Sequence, residues 1–283
     1  MKFQSRGAHK YMSDEFYTAK EARDILGMTH SALLNQVAAG HLQRIIPPGK
    51  RQGVYSKREV DNLKKEMEAW FISRKVTNTQ SPEFVKATIE SMPEGVSIAS
   101  AVFNNHLTIP LEKRIAWLQK NPDIDYFVKQ EGHIVGYLSL VPLELSTIDD
   151  LLHARRYAKD LEASDIISYI PNKLVSIYGM AIGVKPGVSL TQKRDWGAVL
   201  INGARNVIVE LGRRGIEITY IKAHSATPDG IRLMRHIGFT ETVANIPGMR
   251  DFSINVKESG IPFIIEYREA FKQSQAIGIS PGT

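Results

Sequence analysis

Residues 174–201 constrain the fold of this chain more than any other stretch of its sequence. The stretch begins with an apolar run typical of a buried strand, and Lys185-Pro186-Gly187 ends that strand because proline has no amide hydrogen for the ladder. A polar loop and then a helix are predicted, and the apolar face of the helix is Leu200, Ala204, Val207, Ile208 and Leu211. A strand, a loop and a helix start direct backbone N–H groups toward one point, which suits a phosphate. The same pattern also occurs in βα units that bind nothing.

Two motifs in this stretch resemble the acyl-CoA signature of the GNAT acetyltransferase superfamily, V-x-P followed by [RQ]-x-x-G-x-[GA]. They are IGVKP at residues 182–186 and QKRDWGA at residues 192–198. If Gln192 is the leading polar residue, Gly197 takes the last glycine position and Asp195 replaces the middle glycine. If Arg194 leads instead, Gly197 is the middle glycine. We prefer the first alignment, because the apolar pair that usually follows is then Leu200-Ile201.

The resemblance implies acetyl-CoA, or another acyl-CoA, as cofactor. It places the cofactor-binding residues at Met180, Ile182, Val184, Gln192, Lys193, Arg194, Asp195, Trp196, Gly197 and Ala198. It also implies a splayed strand near Met180 to Ile182, whose backbone would donate a hydrogen bond to the thioester oxygen. The family's tyrosine acid in LYxKLGF corresponds to Met234 here, and methionine cannot donate a proton. The catalytic residues stay open, with Tyr178, Tyr220 and His224 as candidates.

The composition is that of a globular protein of about two domains. The chain has 283 residues, 43% of them apolar, and no apolar run long enough to span a membrane. It has no cysteine, which excludes disulfides and thiolate metal ligands, and no two of its eight histidines have the spacing of a helical zinc motif. We therefore expect a cytoplasmic protein with no metal site and no membrane partner.

The net charge of +6 is concentrated in one part of the chain. Residues 1–80 contain 14 Lys and Arg against 8 Asp and Glu, whereas the remainder contains 22 of each sign. This asymmetry predicts two modules, the first of which binds a polyanion.

The sequence of the N-terminal module predicts a helix, a turn, a second helix, a basic hairpin and a third helix, in that order. Thr18 with Glu21 predicts a capping box, Gly27 a helix end, and Thr29 the cap of a second helix. YTAKEA, ILGMT and GHL within residues 17–42 resemble the excisionase/MerR-type winged helix-turn-helix, and the resemblance covers residues 16–70. It implies binding to duplex DNA through the second helix and the wing, at His30, Ser31, Asn35, Lys50 and Arg51. The alternative is a helical interaction module with a solvated hairpin.

A homodimer is expected, because helix-turn-helix modules gain affinity by reading two half-sites. The third predicted helix has an apolar stripe that could form the dimer contact: Val60, Leu63, Met67 and Trp70.

The remainder of the chain predicts the element order β-α-α-β-β-β-α-β-α-β-β. Within it, Ser146 is expected to cap a helical insertion that reaches Glu162, and the last strands are expected at residues 252–256 and 263–267. The predicted fold class is therefore α+β with two domains. A winged helix-turn-helix at residues 1–75 precedes a GNAT-like mixed-sheet α/β domain at residues 84–272.

Three functions fit this sequence. The first is a DNA-binding N-acetyltransferase that acts on an unknown amine acceptor. The second is a non-catalytic acyl-CoA-sensing transcriptional regulator. The third is a structural or dimerising domain that binds no cofactor.

Overall fold

A computed structural model describes residues 15–48, 52–71, 81–103 and 109–276. The described residues up to 71 form an N-terminal body and those from 81 onward a C-terminal body, and Lys50 and Arg51 lie outside the described ranges. Among the helices in these ranges, none combines the length and hydropathy needed to cross a bilayer.

The N-terminal body contains three helices and a small antiparallel sheet. Its elements are β1 (Phe16–Thr18), α1 (Ala19–Leu26), α2 (His30–Ala38), β2 (Arg44–Ile45), β3 (Val54–Ser56) and α3 (Lys57–Phe71). The strands β1 and β2 flank β3. The three helices agree with the sequence prediction, whereas β1 was not predicted.

Local capping fixes the helix boundaries in this body. The Thr18 hydroxyl accepts from Glu21 N at 3.2 Å, and the Glu21 carboxylate accepts from Thr18 N at 2.8 Å. Gly27 ends α1 in the left-handed conformation at φ 63°, and the Thr29 hydroxyl caps α2 by accepting from Ala32 N. Three residues of the α3 stripe, Val60, Leu63 and Met67, are buried within the N-terminal body itself, whereas the side chain of Trp70 lies outside what the structure describes.

The C-terminal body is a seven-stranded mixed sheet with helices on both faces. Its strands are β4 (Glu83–Lys86), β5 (Asp125–Gln130), β6 (His133–Leu143), β7 (Leu174–Val184), β8 (Glu217–Ser225), β9 (Thr240–Val243) and β10 (Arg250–Asn255). The helices are α4 (Met92–Phe103), α5 (Leu111–Lys120), α6 (Leu145–Leu152), α7 (Leu190–Arg213), α8 (Pro228–Ile237) and α9 (Pro262–Ala276). The sheet order is β4-β5-β6-β7-β8-β10-β9, and only β7 and β8 are parallel.

Two predictions for this body were wrong. Phe263 and Tyr267 belong to helix α9 rather than to a strand, since Pro262 opens the helix and Phe263, Ile264, Tyr267 and Ala270 form its buried face. The insertion helix ends at Leu152, well before Glu162, and Ser146 is not its cap. Ala154, at φ 56°, follows that helix end, and two short 3-10 turns replace the predicted continuation.

Each face of the large sheet has its own core. The core on one face includes Trp196, Leu200 and Ile208 of α7 and Ile264 and Tyr267 of α9. The core on the other face is built by α4, α5 and α6, and includes Met92, Trp117, Ile148 and Tyr178.

The two bodies pack against each other along α2, α8 and β9. Gln36 Nε2 donates to the carbonyl of Arg235 at 2.5 Å, and the hydroxyls of Thr29 and Thr240 are 3.1 Å apart. Gly27 lies so close to Gly260 that a Cβ at position 27 would come within 1.8 Å of the Gly260 carbonyl oxygen. The second helix of the N-terminal body is therefore part of this contact.

Candidate functional site

The parallel strands β7 and β8 separate before either ends. Their pairing runs from Leu174 opposite Glu217 to Gly179 opposite Ala223, whereas β7 continues to Val184 with β6 as its neighbour. We call the gap between residues 180–184 of β7 and residues 224–225 of β8 the wedge. The splayed strand expected near Met180 to Ile182 is therefore present.

A β-bulge in β7 lies at the point where the strands separate. Ser139 of β6 pairs with Ala181 and Leu140 with Gly179, which leaves Met180 without a partner in the β6 ladder. Arg114 contacts the bulge from α5, with Nη1 3.4 Å from Met180 Sδ. The same guanidinium forms a buried ion pair with Asp125, so the bulge is backed by a fixed polar group.

The segment after β7 differs from the prediction. Residues 192–198 were expected in a loop, but they form the first turns of α7, which begins at Leu190. Ser189 and Gln192 form a capping box, in which Gln192 N donates to Ser189 Oγ and Ser189 N donates to Gln192 Oε1, both at 3.2 Å. This box starts the helix early and also occupies the Gln192 side chain.

The helical conformation changes the role of the residues predicted to bind the cofactor. Trp196 is buried in the core and its Nε1 donates to Gln130 Oε1 at 2.5 Å, so its side chain does not face a ligand. Lys193 forms an ion pair with Asp229 at the start of α8. The amides of residues 194–198 lie beyond the first turn, where helix hydrogen bonds use them. The Gly197 Cβ position has no atom within 4 Å, so no close approach requires glycine there.

The remaining predicted cofactor residues lie along the wedge or on the exposed side of α7. Met180, Ile182 and Val184 belong to the part of β7 that no longer pairs with β8, and all three are partly exposed. Arg194 is exposed, and Asp195 and Ala198 are half-buried.

An anion fits the start of α7 better than the predicted loop. The helix has no internal partner for the amides of Leu190 and Thr191, which lie at its positive end. Lys185 in the preceding turn and Arg194 in the first turns are exposed cations. The residues present therefore suit a phosphate group at residues 185–194.

The structure brings two of the three catalytic candidates together. Tyr178 Oη lies 3.2 Å from His224 Nε2, and their rings are perpendicular with centroids 5.9 Å apart. Tyr220 instead contacts Lys222, whose Nζ lies 5.4 Å from the centre of its ring. Sequence reasoning missed Asp251, which lies opposite His224 on β10. The predicted strand began at Phe252, one residue after Asp251, so the sequence carried no signal for this residue.

Burial perturbs all three groups around this contact. It raises the pKa of Tyr178, and the charge of Asp251 raises it further. Burial also lowers the pKa of His224. It raises the pKa of Asp251, whereas the charges of His153 and Lys222 lower the pKa of Asp251. The imidazole is therefore neutral near neutral pH and able to accept a proton.

The residues predicted to bind DNA are only partly free. His30 and Ser31 are exposed on α2, although Ser31 Oγ lies 3.5 Å from Thr240 Oγ1 of the C-terminal body. The Asn35 amide nitrogen is buried without a hydrogen-bond partner among the described residues. Asn35 as a whole is half-buried, so its side chain is less accessible than those of His30 and Ser31.

Within the described parts of the chain, no three His, Asp or Glu side chains are arranged to hold a metal ion.

Comparison with known proteins gives structural likenesses only. No protein-family model and no curated protein matches the chain. The similar solved structures include Ard1 from Thermoplasma volcanium, with 9% identity, a TM-score of 0.40, and coverage of 62% of this chain and 97% of that one. A ribosomal-protein-alanine N-acetyltransferase from Brucella melitensis has 17% identity, a TM-score of 0.38, and coverage of 61% and 99%.

A third similar structure is a GNAT-like decarboxylase, GphF, in complex with isobutyryl-CoA. It has 16% identity, a TM-score of 0.38, and coverage of 53% of this chain and 69% of that one. A GNAT-family acetyltransferase is thus among the solved structures that resemble about 60% of the chain. At these TM-scores the likenesses are too distant to establish an activity for this protein.

Proposed function

We propose that the C-terminal body binds acyl-CoA in the wedge and transfers the acyl group to an amine, as a GNAT-type N-acyltransferase with acetyl-CoA as the first donor to test. The separation of β7 from β8 at the Met180 bulge carries this proposal. Beyond Gly179 the edge of β7 that faces β8 has no strand partner among the described residues, so its amides and carbonyls can bond an extended substrate.

Residues at one end of the wedge would bind the thioester, and residues at the other end would bind the phosphates. Backbone N–H groups near Met180 to Ile182 would donate to the thioester oxygen, where negative charge develops during aminolysis. The start of α7, with Lys185 and Arg194 beside it, would hold the phosphates. Met234 lies partly buried against the core. Because a thioether has no charge and no acidic proton, Met234 cannot act as the acid.

Calorimetry and thiol release on one preparation test this proposal. We expect acetyl-CoA to bind the full chain and an amine to accelerate release of the CoA thiol. Lys185→Glu with Arg194→Glu should weaken acetyl-CoA binding about tenfold or more, because like charges would face the phosphates. Lys173→Glu is the matched control, since Lys173 is exposed just before the opposite end of β7. Equal binding by the charge-reversed variant and this control would refute the proposed phosphate site.

A second candidate function is an acyl-CoA-sensing regulator that binds duplex DNA, with or without turnover. Helix α8 favours it, because this helix connects the wedge to the N-terminal body. Asp229 at its start pairs with Lys193 of α7, whereas Arg235 and His236 at its end contact Gln36 and His41. A ligand that moved the start of α8 would therefore act on the second helix of the N-terminal body.

DNA binding itself is proposed from the charge of residues 1–80 and from the order of elements in the N-terminal body. A fluorescence titration of duplex DNA with the full chain, repeated at rising salt and with acetyl-CoA, tests it. The regulator requires salt-dependent binding and a different affinity when acetyl-CoA is present. A homodimer is proposed on the same basis, and sedimentation showing only a monomer at the concentrations that bind DNA would contradict it.

A further inference from the structure

Tyr178, His224 and Asp251 form a polar cluster at the narrow end of the wedge. The last residues that pair between β7 and β8 are Gly179 and Ala223. Tyr178 comes directly before Gly179, and His224 comes directly after Ala223. Asp251 lies directly opposite His224 in the antiparallel β8–β10 ladder. Directly opposed residues point to the same face of a sheet, and Tyr178 is opposite Lys222, two residues before His224. All three side chains therefore lie on one face, and we call them the apex cluster.

The contact between Tyr178 and His224 is compatible with two tautomers of the imidazole ring. Tyr178 is 2% exposed, and its raised pKa keeps the phenol protonated. The phenol donates to Nε2 in the tautomer that carries its N–H at Nδ1, and in the other tautomer the Nε2–H donates to Tyr178 Oη at 3.2 Å. In this tautomer Nδ1 carries a lone pair and is the basic atom of the ring.

Two buried side-chain atoms of the apex cluster have no hydrogen-bond partner among the described residues. Both His224 Nδ1 and Asp251 Oδ1 are buried, and neither has a hydrogen-bond partner in the described part of the chain. Asp251 is 8% exposed as a whole. The neighbouring cation Lys222 donates to Asp149 Oδ1 at 2.6 Å instead. Buried polar atoms are nearly always bonded, so in the tautomer with the ring N–H at Nε2 these two unsatisfied acceptors indicate a group that donates N–H bonds to both.

We infer that Asp251 and His224 receive the acceptor amine: the Asp251 carboxylate binds the ammonium group, and His224 Nδ1 takes its proton. This inference rests on the proposed acyl transfer. His224 as a residue is only partly buried. The cluster also lies beside the bulge where the thioester oxygen would be bound.

The proton and electron balance of this step is complete. The ammonium gives one proton to His224, and the free amine nitrogen attacks the thioester carbonyl carbon. A C–N bond forms, the C–S bond breaks, and the thiolate takes the second proton of the amine. The products are an amide, the CoA thiol and one proton on His224, which passes to water.

A purely structural apex cluster would behave differently on mutation. An unpaired buried carboxylate destabilises a fold, so replacing it with an amide of the same shape should leave stability unchanged or raise it. If Asp251 binds the ammonium group, the same replacement must weaken the use of amines. Asp251→Asn therefore separates the two roles, with Asp150→Asn as control. Asp150 lies on α6 and is paired with Arg155 at 2.6 Å.

Two shape-matched probes, n-butylamine and n-butanol, give the first readout. With acetyl-CoA, butylamine should accelerate thiol release and butanol should not. Asp251→Asn should lower kcat/KM for butylamine by about 100-fold, because a charge-assisted hydrogen bond to the ammonium group is lost, while acetyl-CoA binding stays within about twofold. Asp150→Asn should match the wild type. Full activity in a folded Asp251→Asn protein would overturn the inference.

The NMR signal of the His224 ring gives a second readout that needs no acyl donor. Butylamine should shift the ring Cε1–H signal, identified by its loss in His224→Gln, and butanol should not. No amine-specific shift in the wild type would overturn the inference, even if Asp251→Asn failed to fold. A butylamine shift without any acetyl-CoA binding would instead refute acyl transfer and leave the amine site.

Discussion

His236 of α8 lies edge-on to His41 across the contact between the two bodies, with ring centroids 4.9 Å apart and planes at 81°. His41 is partly buried there, and burial is the largest cause of its lowered pKa. His236, Arg232 and Arg235 lower the pKa of His41 further, and Glu66 partly opposes them. The charged groups around His41 thus come from both bodies.

This contact should weaken in acid. Because the folded-state pKa of His41 lies below the ordinary value of 6.5, the opened form binds the proton more readily. The stabilisation is therefore complete above that value and is lost as the pH falls through it toward the folded-state pKa. Amide hydrogen exchange of α2 should accelerate between about pH 7 and about pH 5, beyond its intrinsic pH dependence. His41→Phe keeps a ring without the titration and should remove the effect; a pH dependence that persists in His41→Phe would contradict this account.

Substitution of Gly27 should disturb the same contact more than substitution of Gly40. Both glycines have a positive φ, so alanine costs roughly 1 kcal/mol of backbone strain at either position. At Gly40 the added Cβ has no atom within 4 Å, whereas at Gly27 it would collide with the Gly260 carbonyl. Chemical denaturation should therefore show the larger loss for Gly27→Ala. Equal losses would mean that the two bodies do not pack as described.

Gly197→Ala should stabilise the protein without affecting acetyl-CoA. The residue lies inside α7 with open space at its Cβ position, so alanine should add roughly 0.5–1 kcal/mol through helix propensity. Thermal melting and calorimetry on the variant measure both quantities. Lower acetyl-CoA affinity would indicate that residues 192–198 form the phosphate-binding loop after all.

The ion pair behind the bulge should be costly to break on one side only. Arg114 and Asp125 are both buried, and Tyr137 Oη also donates to Asp125 Oδ1 at 3.1 Å. Asp125→Ala leaves the Arg114 charge unpaired and should cost about 3–5 kcal/mol. The double variant Arg114→Met, Asp125→Leu should lose less than Asp125→Ala, as measured by denaturant unfolding. A larger loss in the double variant would show that the network contributes more than the charge pair.

Local signals made much of the fold predictable. Thr18, Thr29 and Gly27 fix helix ends by hydrogen bonds within a few residues, so the sequence alone sufficed there. Helix α9 was missed because its determinant is tertiary: the Tyr267 carbonyl packs 2.7 Å from the Cβ position of Gly212 on α7. A run such as Phe263-Ile264-Ile265 fits a strand equally well until that packing partner is known.

The site was predictable only in part, because much of it also depends on tertiary contacts. The wedge was expected because of the family resemblance. The early start of α7 was missed, although Ser189 and Gln192 form an S-x-x-Q capping box that predicts it. The apex cluster depends on the pairing of β8 with β10, which places Asp251 beside His224. Strand order and register are non-local, so no sequence pattern brought these two residues together.

Amide hydrogen exchange of β7 with and without acetyl-CoA tests the central claim most directly. If acyl-CoA lies in the wedge, acetyl-CoA should slow exchange at residues 180–184, where β8 offers no partner. Residues 174–179, already paired with β8, should change little. Tight binding of acetyl-CoA with unchanged exchange at residues 180–184 would contradict the account.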